Sequence, residues 1–170
     1  MTMQTPVKTK NIAGIFSEDV LNSLYQELQQ RHVPADQISI LMSENTGNKI
    51  NVKDGNKAPE GATIGGLSGA AIGAIIGGLT LVGSVLLPGV GLLAAGPLVG
   101  ALAGTAAGAS AGGLLGGLIG LGVPEHEAKV YEDALKQEGN MMVAVQASEE
   151  MVPELKALFE RHQGKAINIS

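Results

Sequence analysis

Three histidines, two close glutamate pairs, a methionine pair and two glycine-rich signatures are the parts of this 170-residue chain that could do chemistry. His32, His126 and His162 are far apart and share no metal-ligand spacing. Each reads as a solvated or helix-end histidine. Glu125 with Glu127, and Glu149 with Glu150, offer the paired carboxylates of acid–base catalysis. Placement in first helical turns, facing the positive end of the helix dipole, already accounts for them. The pair Met141-Met142 reads as strand core rather than a copper or oxidation site. "GVGLLA", residues 89–94, satisfies a G-x-G-x-x-A dinucleotide fingerprint, yet Pro88 precedes it and no acid follows about twenty positions later. Gly164-Lys165 is followed by Ala166, where a phosphate loop needs Ser or Thr. No catalytic, cofactor-binding or metal-ligating residue is nominated, so a non-enzyme without a cofactor is expected.

Composition narrows the class further. The net charge is −5 and the only aromatic residues are Phe16, Tyr25, Tyr131 and Phe159. With no basic face and few rings to stack on bases, nucleic-acid binding is not expected. The lack of cysteine rules out disulfides and thiolate metal sites, and it is compatible with a reducing compartment. "MTMQTPVKTK" has no apolar run of the kind a cleavable secretory signal carries.

The elements that would position any site are legible on both sides of a glycine-rich block. Residues 11–16 read as a strand, and Ser17, Glu18 and Asp19 as a helix start with a hydroxyl cap. Val20, Leu21, Leu24, Tyr25 and Leu28 then form one apolar stripe. "QISILM" reads as a second strand, and the polar run of residues 43–60 as a loop or linker. After the block, Pro124 suits the first position of a helix that Gly139 ends. "MMVAVQA" is a third strand, Ser148 can cap a helix carrying Val152, Leu155, Leu158 and Phe159, and "AINIS" closes as a fourth strand. Two split β-α-β units predict an α+β, ferredoxin-like sandwich. Its halves are residues 1–60, including the linker, and residues 124–170, with residues 61–123 inserted between them.

That insertion holds twenty of the twenty-five glycines, and from Gly61 through Pro124 there is no charged residue. Gly61, Gly65, Gly69, Gly73 and Gly77 repeat at four-residue spacing, as do Gly100, Gly104, Gly108, Gly112, Gly116 and Gly120. Side-chain-free grooves of this kind let helices approach backbone to backbone. Residues 61–83 and 98–121 read as two helices of a glycine-zipper hairpin, with Pro88, Pro97 and several glycines at the joint. Each segment spans roughly 35 Å as a helix, enough to cross a hydrocarbon core of about 30 Å. Sixteen glycines in two helices cost on the order of 15 kcal/mol relative to alanine, so the hairpin needs a partner surface. Leu67, Ile75, Ile76, Leu79, Leu114, Leu115, Leu118 and Ile119 would then face lipid or other subunits. Gly66, Gly78, Gly113 and Gly117 flank the stripes and offer a second groove to a neighbouring copy. Lys49, Lys53 and Lys57 precede the block and its joint has no base, which places the termini in the cytoplasm for a two-pass insertion.

"IAGIFSEDVLNSLYQEL", "ISILMS" and above all "GGLLGGLIGLGVPEHEAKVYEDALKQEG" resemble the bacterial general stress protein family, also labelled heat-induced or low-temperature-induced stress proteins. The resemblance covers about residues 11–147. It implies a small α+β domain with a glycine-rich hairpin, a link to stress responses, no assigned activity and no catalytic residues to carry over. The combined expectation is a non-enzymatic, stress-associated structural protein that forms homo-oligomers through the zipper glycines. The expected location is the bacterial inner membrane, with the hairpin in the lipid bilayer and the α+β domain in the cytoplasm. The alternatives are a cytoplasmic assembly that buries the hairpins, and an accessory subunit of a membrane complex that binds an unidentified protein partner.

Overall fold

Strand β1 (Thr9–Ser17) runs into helix α1 (Glu18–Gln30), and a short 3-10 turn (Ala35–Gln37) leads into β2 (Ile38–Met42). Two short strands, β3 (Ser84–Leu87) and β4 (Gly91–Ala94), come next. They are followed by α2 (Glu125–Lys136), β5 (Asn140–Ser148), α3 (Val152–Arg161) and β6 (Lys165–Ile169). The computed structural model describes residues 8–42, 84–87, 91–94, 96–97, 115–116, 118–119, 123–137 and 139–170, with the backbone alone for 84–87 and 91–94. The polar run of residues 43–60 lies outside the described residues.

The strands form one antiparallel sheet in the order β3-β4-β2-β5-β1-β6. β1 and β5 pair along their whole length, from Thr9 opposite Ser148 to Ser17 opposite Asn140. Each then takes a shorter outer neighbour: β6 lies on β1 and β2 on β5. The chain is thus mixed α+β, as expected.

Strand alternation divides the side chains between two cores. Ile12, Phe16, Ile38, Ile40, Met42, Met141, Val143 and Val145 meet Leu21, Leu24 and Leu28 of α1 and Leu155, Leu158 and Phe159 of α3. At its centre the Phe16 and Phe159 rings stand edge to face, 4.9 Å apart. On the opposite face, Ile15, Leu41 and Met142 pack with Ala128, Tyr131 and Leu135 of α2 and with Leu118. Both methionines are therefore core, on opposite faces.

Helices α1 and α3 end alike. His32 and Gln163 take the left-handed conformation, and the next amide reaches back to the carbonyl five residues earlier, Val33 to Leu28 and Gly164 to Phe159. Glycine usually fills that left-handed position, which is why neither stop is visible as a Gly in the sequence.

Several boundaries differ from expectation. Ser17 is the N-cap of α1 as expected, but its hydroxyl makes no capping bond to the backbone and lies 3.4 Å from Asp19, while the Glu18 amide is taken by the Gly139 carbonyl at 2.8 Å. Ser148 ends β5 instead of capping α3, whose cap is Met151, so Glu149 and Glu150 stand in the preceding turn and not in a first helical turn. Pro124 is the cap of α2, one position earlier than expected, and its carbonyl accepts from Glu127 and Ala128. The helix stops at Lys136, and Gly139, with φ +83°, belongs to the turn into β5.

The larger correction concerns the joint of the glycine block. It forms strands β3 and β4, and β4 pairs with β2, Ile40 opposite Ala94 and Met42 opposite Leu92. The apolar, β-branched-poor "SVLL" and "GLLA" satisfy their backbone groups by extending the sheet. Leu118, expected to face lipid or another subunit, is fully buried in the second core, and Leu115 packs beside it. The apolar sheet face formed by Ile15, Leu41 and Met142 needs this cover. Of the described members of that group, Ile119 is exposed.

Candidate functional site

Of the zipper glycines, Gly116 is described, and among the described residues no heavy atom lies within 4 Å of a Cβ built on it. Gly61, Gly65, Gly69, Gly73, Gly77, Gly100, Gly104, Gly108, Gly112 and Gly120 lie outside the described residues, as do Gly66, Gly78, Gly113 and Gly117. Leu67, Ile75, Ile76, Leu79 and Leu114 lie outside them too, as do Lys49, Lys53 and Lys57. Among the described residues no helix is long and apolar enough to cross a membrane.

A backbone-to-backbone approach does occur at a glycine that the four-residue stripes omit. Gly96, two residues beyond β4, has φ +78°, and a Cβ there would stand 2.0 Å from Ser39 Oγ and 2.8 Å from the Ile38 carbonyl. A side chain at residue 96 is excluded both by conformation and by space. Ser39 is buried in β2, and its hydroxyl has no hydrogen-bond partner among the described residues. The signal that could have found this position is the "GP" pair, which marks a forced turn.

Beneath α2 the second core ends in a polar corner. The Tyr131 hydroxyl donates to the Ala166 carbonyl at 2.6 Å, and Asn168 Nδ2 donates to Glu127. Burial, reinforced by the Glu127 carboxylate, pushes the Tyr131 hydroxyl above the usual phenol range, so it remains a donor at neutral pH. Ala166 has φ +51° where the β1–β6 register slips between Ala13 and Ile15. That is a bulge with a left-handed first residue, a position glycine normally fills, and the Tyr131 bond holds it.

The third group joins α1 to α3. Glu27 accepts from His162 Nε2 at 2.9 Å, from Arg161 at 3.0 Å and from Arg31 at 3.3 Å, and Arg31 Nε donates to Glu154 at 2.8 Å. The hydrogen bond from His162, with the charges of Arg161, His162 and Arg31, holds the Glu27 carboxyl below the ordinary value of 4.5 against the opposing effect of burial. Ser23 Oγ lies 3.4 Å from His162 Nδ1, so a serine, a histidine and a carboxylate stand in line. The Ser23 hydroxyl, however, donates to the Val20 carbonyl at 2.9 Å, which directs its proton into the helix. The arrangement clasps the two helices at their ends. Periodicity could not reveal it, because Glu27 and His162 are far apart in sequence and meet only where α1 and α3 pack on the same face of the sheet.

His32 and His162 lie at helix ends and His126 is exposed in the first turn of α2, so the three histidines do not meet. Among the described residues no group of three or more His, Asp or Glu side chains could hold a metal ion. Residues 91–94 of the G-x-G-x-x-A form are strand β4, not a turn opening a helix.

Fold and sites together define a mixed α+β protein with an antiparallel sheet covered on both faces and with its two halves tied by a charged clasp. Comparison with family models, with curated proteins and with solved structures finds no match to this chain.

Two outcomes test these contacts. Gly96→Ala is expected to destabilise the protein by roughly 1–3 kcal/mol through overpacking against β2, read as a lower urea midpoint. Gly116→Ala, with no heavy atom of the described residues within 4 Å of its Cβ position, is expected to lower the midpoint less than Gly96→Ala. For the clasp, a folded-state carboxyl pKa below its unfolded value contributes stability at neutral pH. That contribution falls away as pH drops below about 4.5 and through the lower folded pKa. Denaturation midpoints measured from pH 7 to pH 3 should therefore decline less steeply for Glu27→Gln than for the parent.

Proposed function

We propose that this chain is a non-enzymatic, stress-associated structural protein that self-assembles through its glycine-rich block, with the joint of that block and the region around Leu118 anchored on its own α+β domain. The observation that carries this reading is the pairing of β4 with β2, supported by the burial of Leu118 in the second core. The strand order β2-β5-β1-β6, with each half supplying one central and one outer strand, supports a ferredoxin-like arrangement extended by β3 and β4. The bacterial stress-protein resemblance supplies the cellular context of the proposal, and the four-residue glycine spacing supplies its assembly surface.

Membrane association is the second reading, favoured by the 64 residues without a charge from Gly61 to Pro124. It has a geometric consequence. A two-pass hairpin carries its joint across about 30 Å of hydrocarbon, away from the domain that both of its ends enter. Paired β4 and inserted hairpin therefore exclude one another. Insertion at the inner membrane would require β4 to leave β2, which would expose the β2 edge and leave its backbone groups unpaired.

A cysteine pair separates the two states, since the chain has no cysteine of its own. Leu41 and Leu93 are directly opposed, and opposed Cα atoms about 4.5–5.5 Å apart fall within the range a disulfide bridges. Oxidised Leu41→Cys/Leu93→Cys protein should form particles of the parent's size by light scattering. Retention of the reduced form in carbonate-washed membranes, with release of the oxidised form, would instead establish the inserted state. The assembly surface is tested by Gly108→Leu, which should lower the particle mass and cost roughly 1–3 kcal/mol. Ala109→Leu, off the stripe, should do less. A Gly108→Leu protein that assembles and melts like the parent would remove the zipper from the reading.

A further inference from the structure

We propose that the sheet face between α2 and the outer end of strands β5, β1 and β6 is a binding site for a small, neutral, planar molecule carrying a carboxamide or cyclic-amide edge. A cleft of about 290 Å³ opens there. That is near the lower end of the range for small-molecule sites, roughly 300–1,000 Å³.

Its shape follows from strand alternation. Ile12 and Val145 point into the first core, so their neighbours Asn11, Ala13, Ala144 and Gln146 face the cleft. Ala13 lies opposite Ala144, and Asn11 lies opposite Gln146. Asn168 of β6 is the other cross-strand partner of Ala13. Two methyl groups therefore make a flat apolar floor, and three side-chain amides from three adjacent strands stand along its border. Tyr131 walls the cleft with its ring, its hydroxyl being committed to Ala166.

The polar groups determine what fits. The side-chain amides of Asn11 and Gln146 have no hydrogen-bond partner among the described residues, although both residues are half-buried. Asn168 spends one donor on Glu127 and keeps its carbonyl oxygen. A row of primary amides offers donors and acceptors together, so it is complemented by a group that also has both, on one planar edge. Among the described lining residues no side chain carries a charge. The Glu127 carboxylate beside Asn168 disfavours an anion and is already engaged by that amide, so a cation gains no side-chain partner among the described lining residues. A flat floor of alanines accepts a planar body and gives a bulky one no depth.

The probe is benzamide, titrated against the full-length protein and followed by saturation-transfer NMR on the ligand, with benzoate as the charged isostere. Saturable benzamide binding, with benzoate at least tenfold weaker, is the expected result. Gln146→Leu removes an amide at similar size and should weaken benzamide at least tenfold. Ala13→Leu fills the floor and should abolish the signal. Benzamide that fails to saturate, benzoate that binds as well, or two folded variants that bind like the parent would each overturn the proposal. Occupation of the cleft by another segment of this chain, or by a second copy, would appear as the first of these outcomes.

Discussion

The pairing of β1 with β5 is the contact on which every other part of the fold depends. These two strands alone have neighbours on both sides within the four-stranded part of the sheet, and one comes from each half of the chain. Their alternate residues face both cores: Ile12, Phe16, Met141 and Val143 build one, and Ile15 and Met142 the other. If the register slipped by one residue, each core would receive the other's side chains. The close fit of Phe16 against Phe159 and the joint packing of Leu41, Met142 and Leu118 would both be lost. Burial is close to complete at all of these positions, so the register is specified from two sides at once.

Closing that pair across a long insertion costs less than its length suggests. Roughly a hundred residues separate β2 from β5, yet loop-closure entropy rises by only about 0.6 kcal/mol for each doubling of loop length. The glycine-rich block can therefore sit at the middle of the chain without undoing the sheet. What it contributes in return is local and apolar. β4 covers the β2 edge that would otherwise stand open, and Leu118 covers the sheet face next to α2. The charged clasp acts at the other side of the molecule, where Glu27 of α1 holds Arg161 and His162 of α3 and so joins the two halves without using the sheet.

How much of this was legible in the sequence depends on whether a feature is local. The stripes Leu21, Leu24, Leu28 and Leu155, Leu158, Phe159 are local and set the positions of α1 and α3. The alternation in residues 11–16 and 141–147 is local and gives β1 and β5. The cap at Ser148 failed because a serine can end a strand as readily as start a helix, and here the strand pairing takes it, whereas Ser17 both ends β1 and stands at the N-cap of α1. The joint was misread because Pro88 and the glycines argue only against a helix; they do not show that β2 has an unfilled edge four or five residues long. Leu118 was misread for a related reason. A leucine beside a glycine groove has the same sequence signature whether it faces lipid or the chain's own sheet. The clasp and the amide row had no local signal at all, since Glu27 with His162, and Asn11 with Gln146, are assembled only by the β1–β5 register.

The same register bears on the glycines. A glycine-rich helix is disfavoured by about 0.8–1 kcal/mol per glycine relative to alanine, and that disadvantage is recovered only where the missing side chain permits a contact that a Cβ would forbid. Gly96 shows what such a contact looks like: a built Cβ would collide with Ser39 Oγ and with the Ile38 backbone. Gly116 shows the opposite, with open space where its Cβ would be and no contact among the described residues to justify the absence. Gly96 thus answers to the fold, and the proposed assembly surface is asked to supply, for the four-residue spacing, the kind of contact that Gly96 makes with β2.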